Sequence, residues 1–413
     1  MRIRKPDRAA AALVACVLAA LPSWSSAAPQ AAPAPSVLSE VDTTIRQRFY
    51  DPKLKGVDWT AAVAKASSEL ARATTPAERD AVYDRLLATL SDSHTFRVAP
   101  GRLPSGPWGT PGLRIGQDGG GYAVKGVVPG GSAEKAGLKV GDRVLAIDGR
   151  PYGAARVNFR DLYFALEGAP GSAVAVTWQR GTGAPRTDRL VRAPEEGGDG
   201  LVWRSARVIR RNGKAYGYAH LWGLSADTAL AVVDMLLDRE TGAQGRAGLE
   251  DWPKIEGFLL DVRGNVGGYD PGILPTFLRG QWDTADYFVF SRDAKRLVPP
   301  KYAPLPVVLL TNSGTASNAE ALALKFRAHG IGSIVGETTA GMASGGASAV
   351  PLSDGSLLWF TERAIESLDG KSHEGRGVEP DVRAADRPAA AGGSEDAIVE
   401  AAVTAVAAAR KPS

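Results

Sequence analysis

The chain has 413 residues, 44% hydrophobic and 23% charged, with 48 glycines; this is a globular composition, long enough for two or three packed domains. Its 49 Lys and Arg exceed its 45 Asp and Glu by only four, and Arg2, Arg4, Lys5 and Arg8 against Asp7 supply most of that excess. The rest is near neutral, which excludes the basic stripe that nucleic-acid phosphates require.

A basic start, an apolar run over residues 9–21 ended by Pro22, and Ser26-Ala27-Ala28 read as an export signal spanning residues 1–28. Leu13-Val14-Ala15-Cys16 is the alternative, a lipoprotein processing site, but the apolar stretch before Cys16 is short. Cys16 is the only cysteine, so cleavage near Ala28 leaves no disulfide, thiolate or cysteine-ligated metal. The expectation is an exported protein, periplasmic or extracellular. Stable membrane insertion is not expected, since no other run is long and apolar enough.

Residues 29–37 are Ala- and Pro-rich and read as a flexible lead. Residues 38–100 read as a small helical region whose last helix starts at Pro76 and carries Val82, Tyr83, Leu86, Leu87 and Leu90 at helical spacing. It ends in the polar turn Ser91-Asp92-Ser93-His94-Thr95. Gly and Pro punctuate residues 101–112 as a boundary. Residues 108–193 read as a β-rich module: a strand through Gly121–Pro129, a one-turn helix ended by Gly137, a turn at Gly141-Asp142 and a strand ended by Asp148-Gly149. This stretch resembles a PDZ domain, in which an extended peptide adds as a strand beside a helix and backbone amides hold its carboxylate. The resemblance puts the peptide-binding loop at Trp108, Gly109, Gly112 and Leu113, and the groove helix from Ala154 or Phe159 through Leu162 and Phe164.

Residues 194–393 read as an α/β domain. The buried run over 255–260 ends at Asp261, and the run over 306–310 feeds the polar turn before Ser317 and a helix over 318–329. That order predicts a parallel layer with its site at the strand C-termini. Residues 394–413 read as a terminal helix and tail.

Ser317 sits between a buried strand and a helix start, where backbone amides face a developing oxyanion. Taken alone, Ser317 and Glu320 are equally an S-x-x-E capping box. A nucleophilic serine needs a base. Of the four histidines, His94 lies on a polar turn, His220 in an alternating strand, His329 at a helix end before Gly330, and His373 in a charged loop; local context favours His94. Asp261-Val-Arg-Gly-Asn-Val-Gly-Gly268 supplies a loop whose glycines can turn an N–H into a cleft.

Together, Asp261-x-Arg-Gly-Asn-x-Gly-Gly268, Gly314-Thr-Ala-Ser317-x-x-Glu320, Val335-Gly-Glu-Thr-Thr-Ala-Gly341 and Gly377-Val-Glu-Pro-Asp381 resemble the S41 serine peptidases, the C-terminal processing peptidase and tricorn-core family. The resemblance implies a multidomain α/β fold: a helical N-terminal region, an inserted PDZ-like β-rich domain and an α/β peptidase core of the ClpP/crotonase-like type. The processing branch takes its base from a lysine whose place here is held by Met342, which accepts no proton; Lys325 lies two helical turns from Ser317. The resemblance therefore points to the tricorn-like branch, with Ser317 as nucleophile, His94 as base, Ser93 orienting it and Glu374 as the supporting carboxylate. Glu379 is the competing carboxylate. Asn318 with Gly267 or Gly268 would hold the oxyanion. No cofactor or metal is expected. The expected substrate is a peptide or unfolded protein, and homo-oligomerisation stays open. A non-catalytic peptide- or apolar-ligand-binding protein and a small-substrate esterase or amidase are the alternative functions.

Overall fold

The computed structural model describes residues 36–102, 108–153, 158–194, 198–241, 249–268, 272–278, 305–365, 370–387 and 396–409. The expected export signal with Cys16, most of the lead and Ala154 lie outside them.

Three helices come first among the described residues: Val37–Arg48, Trp59–Leu70 and Pro76–Ala88. Asp58 caps the second by accepting Ala61 N–H. Thr75 and Glu78 form a capping box on the third, with Pro76 in its first turn. Their apolar faces do not close on themselves. Val41, Ile45, Trp59, Leu86 and Leu87 pack with Leu358 and Phe360, which come from the strand Leu357–Ala364. That strand sits between Phe96–Val98 and Gly345–Pro351 in an antiparallel three-stranded sheet. Segments far apart in the chain, residues 37–98 and 345–364, therefore build one layer, and the turn holding Ser93 and His94 leads directly into it.

The β-rich module has strands Leu113–Asp118, Gly121–Val127, Arg143–Ile147, Ala173–Gln179 and Arg186–Val191 in that spatial order. Its short helix is Ser132–Lys135. The groove helix of the sequence reading is a single π-type turn, Arg160–Phe164.

A six-stranded sheet forms the larger layer, in the order Arg207–Arg211, Lys214–His220, Gly257–Asp261, Val307–Thr311, Ile334–Gly336 and Val382–Arg383. It is parallel except for its first pair. Both faces are covered, so the central strands read as unbroken apolar runs. Phe258, Leu260, Val307 and Leu309 face the helices Ala226–Thr241 and Asn318–Ala328. Leu259, Val308 and Leu310 face Ile398, Val399, Ala402 and Val406 of the C-terminal helix Ala397–Ala408, which Asp396 caps. Asp261 pairs with Leu310, so the loops after both strands leave the same sheet edge side by side.

Candidate active site

Ser317 is the residue before the helix Asn318–Ala328, with φ 55° and ψ −129°. A non-glycine residue there costs about 1–3 kcal/mol and persists only when its surroundings impose it. They do. Ala316 N–H donates to Asn265 O at 2.9 Å and Ser317 N–H to Met342 O at 3.0 Å. The Glu320 carboxylate also accepts Ser317 N–H at 3.2 Å, together with Gly341 N–H at 2.9 Å, Met342 N–H at 2.8 Å and the Thr339 hydroxyl. Glu320 thus supports the backbone of the S-x-x-E element, which leaves Ser317 Oγ free to turn outward. Burial pushes the Glu320 carboxyl up, to about 7, against the pull of these donors.

Ser317 Oγ lies 3.0 Å from His94 Nε2. On the other side of the ring, His94 Nδ1 is 3.0 Å from Ser93 Oγ. Ser93 donates its hydroxyl to Glu374 Oε2 at 3.1 Å and its backbone N–H to Glu374 Oε1 at 3.0 Å. The structure therefore brings Ser317, His94, Ser93 and Glu374 into one hydrogen-bonded line. Glu379 stands apart, largely exposed and paired with Arg383 at 3.2 Å. Phe159 stacks on the imidazole, with ring centres 4.7 Å apart and planes at 18°, and donates its N–H to Ser93 O at 2.9 Å. Burial pushes His94 down, to about 4, while the Asp92 carboxylate pulls it back. The ring is neutral at pH 7, so Nε2 can accept a proton.

The other histidines lie elsewhere. His220 stacks on Trp222 at 3.7 Å and donates from Nε2 to Arg263 O at 2.9 Å. His329 ends the helix that Ser317 begins. His373 bonds Gly377 O at 3.1 Å.

The glycine loop is tied by its own side chains. Arg263 bonds Asp261 at 2.7 Å, Asp386 at 3.2 Å and Asp396 at 3.0 Å. Asn265 donates to Leu221 O and accepts Gly267 N–H, both at 2.8 Å. This corrects one oxyanion donor: the Gly267 amide is already spent. The amides of Gly268 and Asn318 have no acceptor among the described residues, and the Asn318 side chain holds Gly268 O at 2.5 Å. Gly267 has a steric role instead, since a Cβ there would lie 2.8 Å from Ser317 Cβ.

Two amides of the expected peptide-binding loop are spent as well. Gly109 N–H donates to Gly168 O at 2.7 Å, and Gly112 N–H to Thr110 Oγ1 at 3.1 Å. Leu113 is fully buried. The amides of Gly109 and Gly112 are therefore already engaged in this conformation. Trp108 lines a different space, a cleft of about 1230 Å³ that runs past Ser317, His94, Phe159, Gly268 and Trp359. A smaller cavity of about 490 Å³ lies beneath Arg160, and there Arg97 and Arg160 are neutralised by Asp80, Asp354, Asp84 and Asp161.

The module does reach the site through its backbone. Asn312 donates to Lys125 O at 3.0 Å and accepts Gly264 N–H at 2.9 Å and Gly314 N–H at 3.0 Å. Ser313 Oγ donates to Gln117 O at 2.6 Å. A Cβ on Gly116 would lie 2.6 Å from Ser313 O, so only glycine allows the approach. Sequence reading assigned Phe159 to the PDZ groove and missed its place against His94, and it missed Asn312 and Ser344, whose Oγ is also 3.0 Å from His94 Nδ1. Nothing local to those residues signals the contacts.

An α/β layer with a strained serine at a strand C-terminus, an imidazole in reach and an inserted β-rich module make up a serine–histidine site. Peptidase family S41 matches residues 216–384, and a PDZ domain matches residues 124–180. It is 27% identical over 379 residues to the putative tricorn protease homolog 2 of Streptomyces coelicolor, covering 84% of this chain and 30% of that protein. It is 30% identical over 280 residues to the carboxy-terminal processing protease CtpB of Bacillus subtilis, covering 66% and 54%. The chain thus spans about a third and about half the length of these relatives. The solved photosystem II D1 C-terminal processing protease superposes with a TM-score of 0.55 at 25% identity, covering 84% of this chain and 92% of that one.

Proposed function

We propose that the protein is a serine endopeptidase that cleaves extended or C-terminal protein segments, with Ser317 as nucleophile and His94 as general base. The observation that carries this reading is the 3.0 Å contact between Ser317 Oγ and His94 Nε2, with Met342 rather than lysine in the adjoining turn.

As Ser317 Oγ attacks the carbonyl, its proton passes to His94 Nε2. Nδ1–H is held by Ser93, whose own hydroxyl donates to Glu374, so the tautomer with a free Nε2 lone pair is kept and the imidazolium is stabilised. The oxyanion is held by the amides of Asn318 and Gly268, each worth roughly 3–4 kcal/mol. His94 then gives its proton to the leaving amine, and water repeats the cycle on the acyl-enzyme. The PDZ domain supports a peptide rather than a small ester as substrate, since it raises the local concentration of captured chains.

The test is fluorophosphonate labelling with site mapping on the wild type, His94→Ala and Ser317→Ala. Labelling at Ser317 that vanishes in His94→Ala supports the reading; folded wild-type protein that resists labelling refutes it. The proposed periplasmic or extracellular location rests on the first 28 residues, and fractionation with N-terminal sequencing of the mature chain tests it.

A further inference from the structure

His94 Nδ1 carries one hydrogen in the base-competent tautomer, yet two hydroxyl oxygens lie 3.0 Å from it, Ser93 Oγ and Ser344 Oγ. Ser344 is buried and lies just before the strand Gly345–Pro351, next to a register shift between Gly346 and Ala347. Its Oγ is 3.1 Å from Thr361 Oγ1, which is itself 2.7 Å from Asp92 Oδ1. Thr361 has a single hydroxyl hydrogen. The shorter contact, to a carboxylate, is charge-assisted and takes it. Thr361 then accepts from Ser344, and the Ser344 lone pairs face Nδ1–H. Every proton in the chain from imidazole to carboxylate is accounted for.

Asp92 is equipped to end such a chain. It is buried, and its Oδ1 also accepts His94 N–H at 3.1 Å and the Thr95 hydroxyl at 2.9 Å. Its Oδ2 has no partner among the described residues. No cation pairs with it among the described residues, and its charge acts on the ring.

We propose that His94 is oriented by two hydroxyl branches, one through Ser93 to Glu374 and a second through Ser344 and Thr361 to Asp92. Ser344, Thr361 and Asp92 are positioning residues. The proposal rests on His94 being the base of the proposed function. Both branches hold the same Nδ1–H, so either alone preserves the tautomer in part. When Nε2 takes the serine proton, two carboxylates, Glu374 and Asp92, stabilise the imidazolium. The other titratable groups facing this cluster are Tyr50, which feels both Asp92 and Glu374, Glu320, and Arg363 at the cleft.

The test uses the full chain with Ser344→Ala, Thr361→Val, Thr361→Ser, Ser93→Ala and the Ser93→Ala/Ser344→Ala pair. Peptide hydrolysis gives kcat and KM, and nitrogen-15 NMR reads the His94 Nδ1–H resonance. Ser344→Ala and Thr361→Val are expected to lower kcat about tenfold with KM unchanged, the effect of one lost hydrogen bond. Both shift the Nδ1–H signal. Thr361→Ser restores most of the rate, which a purely structural role for the methyl group would not allow. The double variant loses more than the product of the two single losses, because it strips both acceptors. Wild-type kcat in Ser344→Ala and Thr361→Val, or an unmoved Nδ1–H resonance, overturns the second branch. Absent wild-type turnover and Ser317 labelling would sink the serine-peptidase reading instead, and the NMR signal would still decide the branch.

Discussion

Gly267 is the position where one methyl group separates catalysis from folding. A Cβ there would lie 2.8 Å from both Asn318 N and Ser317 Cβ, and 3.1 Å from Ala316 O. None of these atoms is the end of a flexible side chain, so the strand-to-helix turn itself must retreat. Ordinary contact at 3.4 Å requires a shift of about 0.6 Å, applied to the nucleophile and to an amide proposed to hold the oxyanion. A misplacement near 1 Å costs about a hundredfold in rate, so Gly267→Ala should lower kcat between tenfold and a hundredfold. The φ of 93° adds about 1–2 kcal/mol of destabilisation for any L side chain, which leaves a domain of this size folded. The assay pairs peptide turnover and fluorophosphonate labelling with a thermal melt. A folded Gly267→Ala protein with wild-type kcat would refute the claim that this contact sets the Ser317 geometry.

The two competing carboxylates separate cleanly: Glu374→Gln should reduce kcat about tenfold or more by weakening its bonds to Ser93, whereas Glu379→Gln, at an exposed pair, should leave turnover unchanged. Activity should persist to low pH and fall as pH drops through about 4, where His94 takes up a proton; an acid limb near 6.5 would contradict its burial. Stability follows the same sign. The folded-state values of His94 and His220, both about 4, lie below the unfolded value, so each contributes stability that is present above pH 6.5. That contribution, on the order of 3 kcal/mol per group, is lost as pH falls toward 4, which acid melts can follow. Glu320→Gln places an amide donor among four donors and should cost about 1–3 kcal/mol of stability, read as a lower denaturant midpoint together with slower labelling of Ser317.

What the sequence disclosed was local. The apolar run through Leu310 announced a strand buried on both faces, and Thr75, Pro76 and Glu78 announced a helix start. Ser317 and Glu320 carried two meanings that the structure divides, the carboxylate serving the backbone and the hydroxyl facing His94. Lost to sequence reading were contacts made across the chain. Phe96 pairs with Trp359, and Ser344 meets His94 across 250 residues, because sheet pairing leaves no spacing pattern in either segment. The glycines near Trp108 were visible as turn residues. Which acceptor would take their amides depended on Gly168 and Thr110, and no local rule names either.

The close approach of Gly116 to Ser313 bears on how the PDZ domain can be studied. Cutting the domain out would strip Asn312 Nδ2 and Ser313 Oγ of the carbonyls of Lys125 and Gln117, and would bare the peptide units that lead into the nucleophile. An inactive truncation would then report a lost wall, not a lost receptor for substrate. Point changes on the module's outer surface, away from the strand Leu113–Asp118, are the perturbations that leave this shared masonry standing.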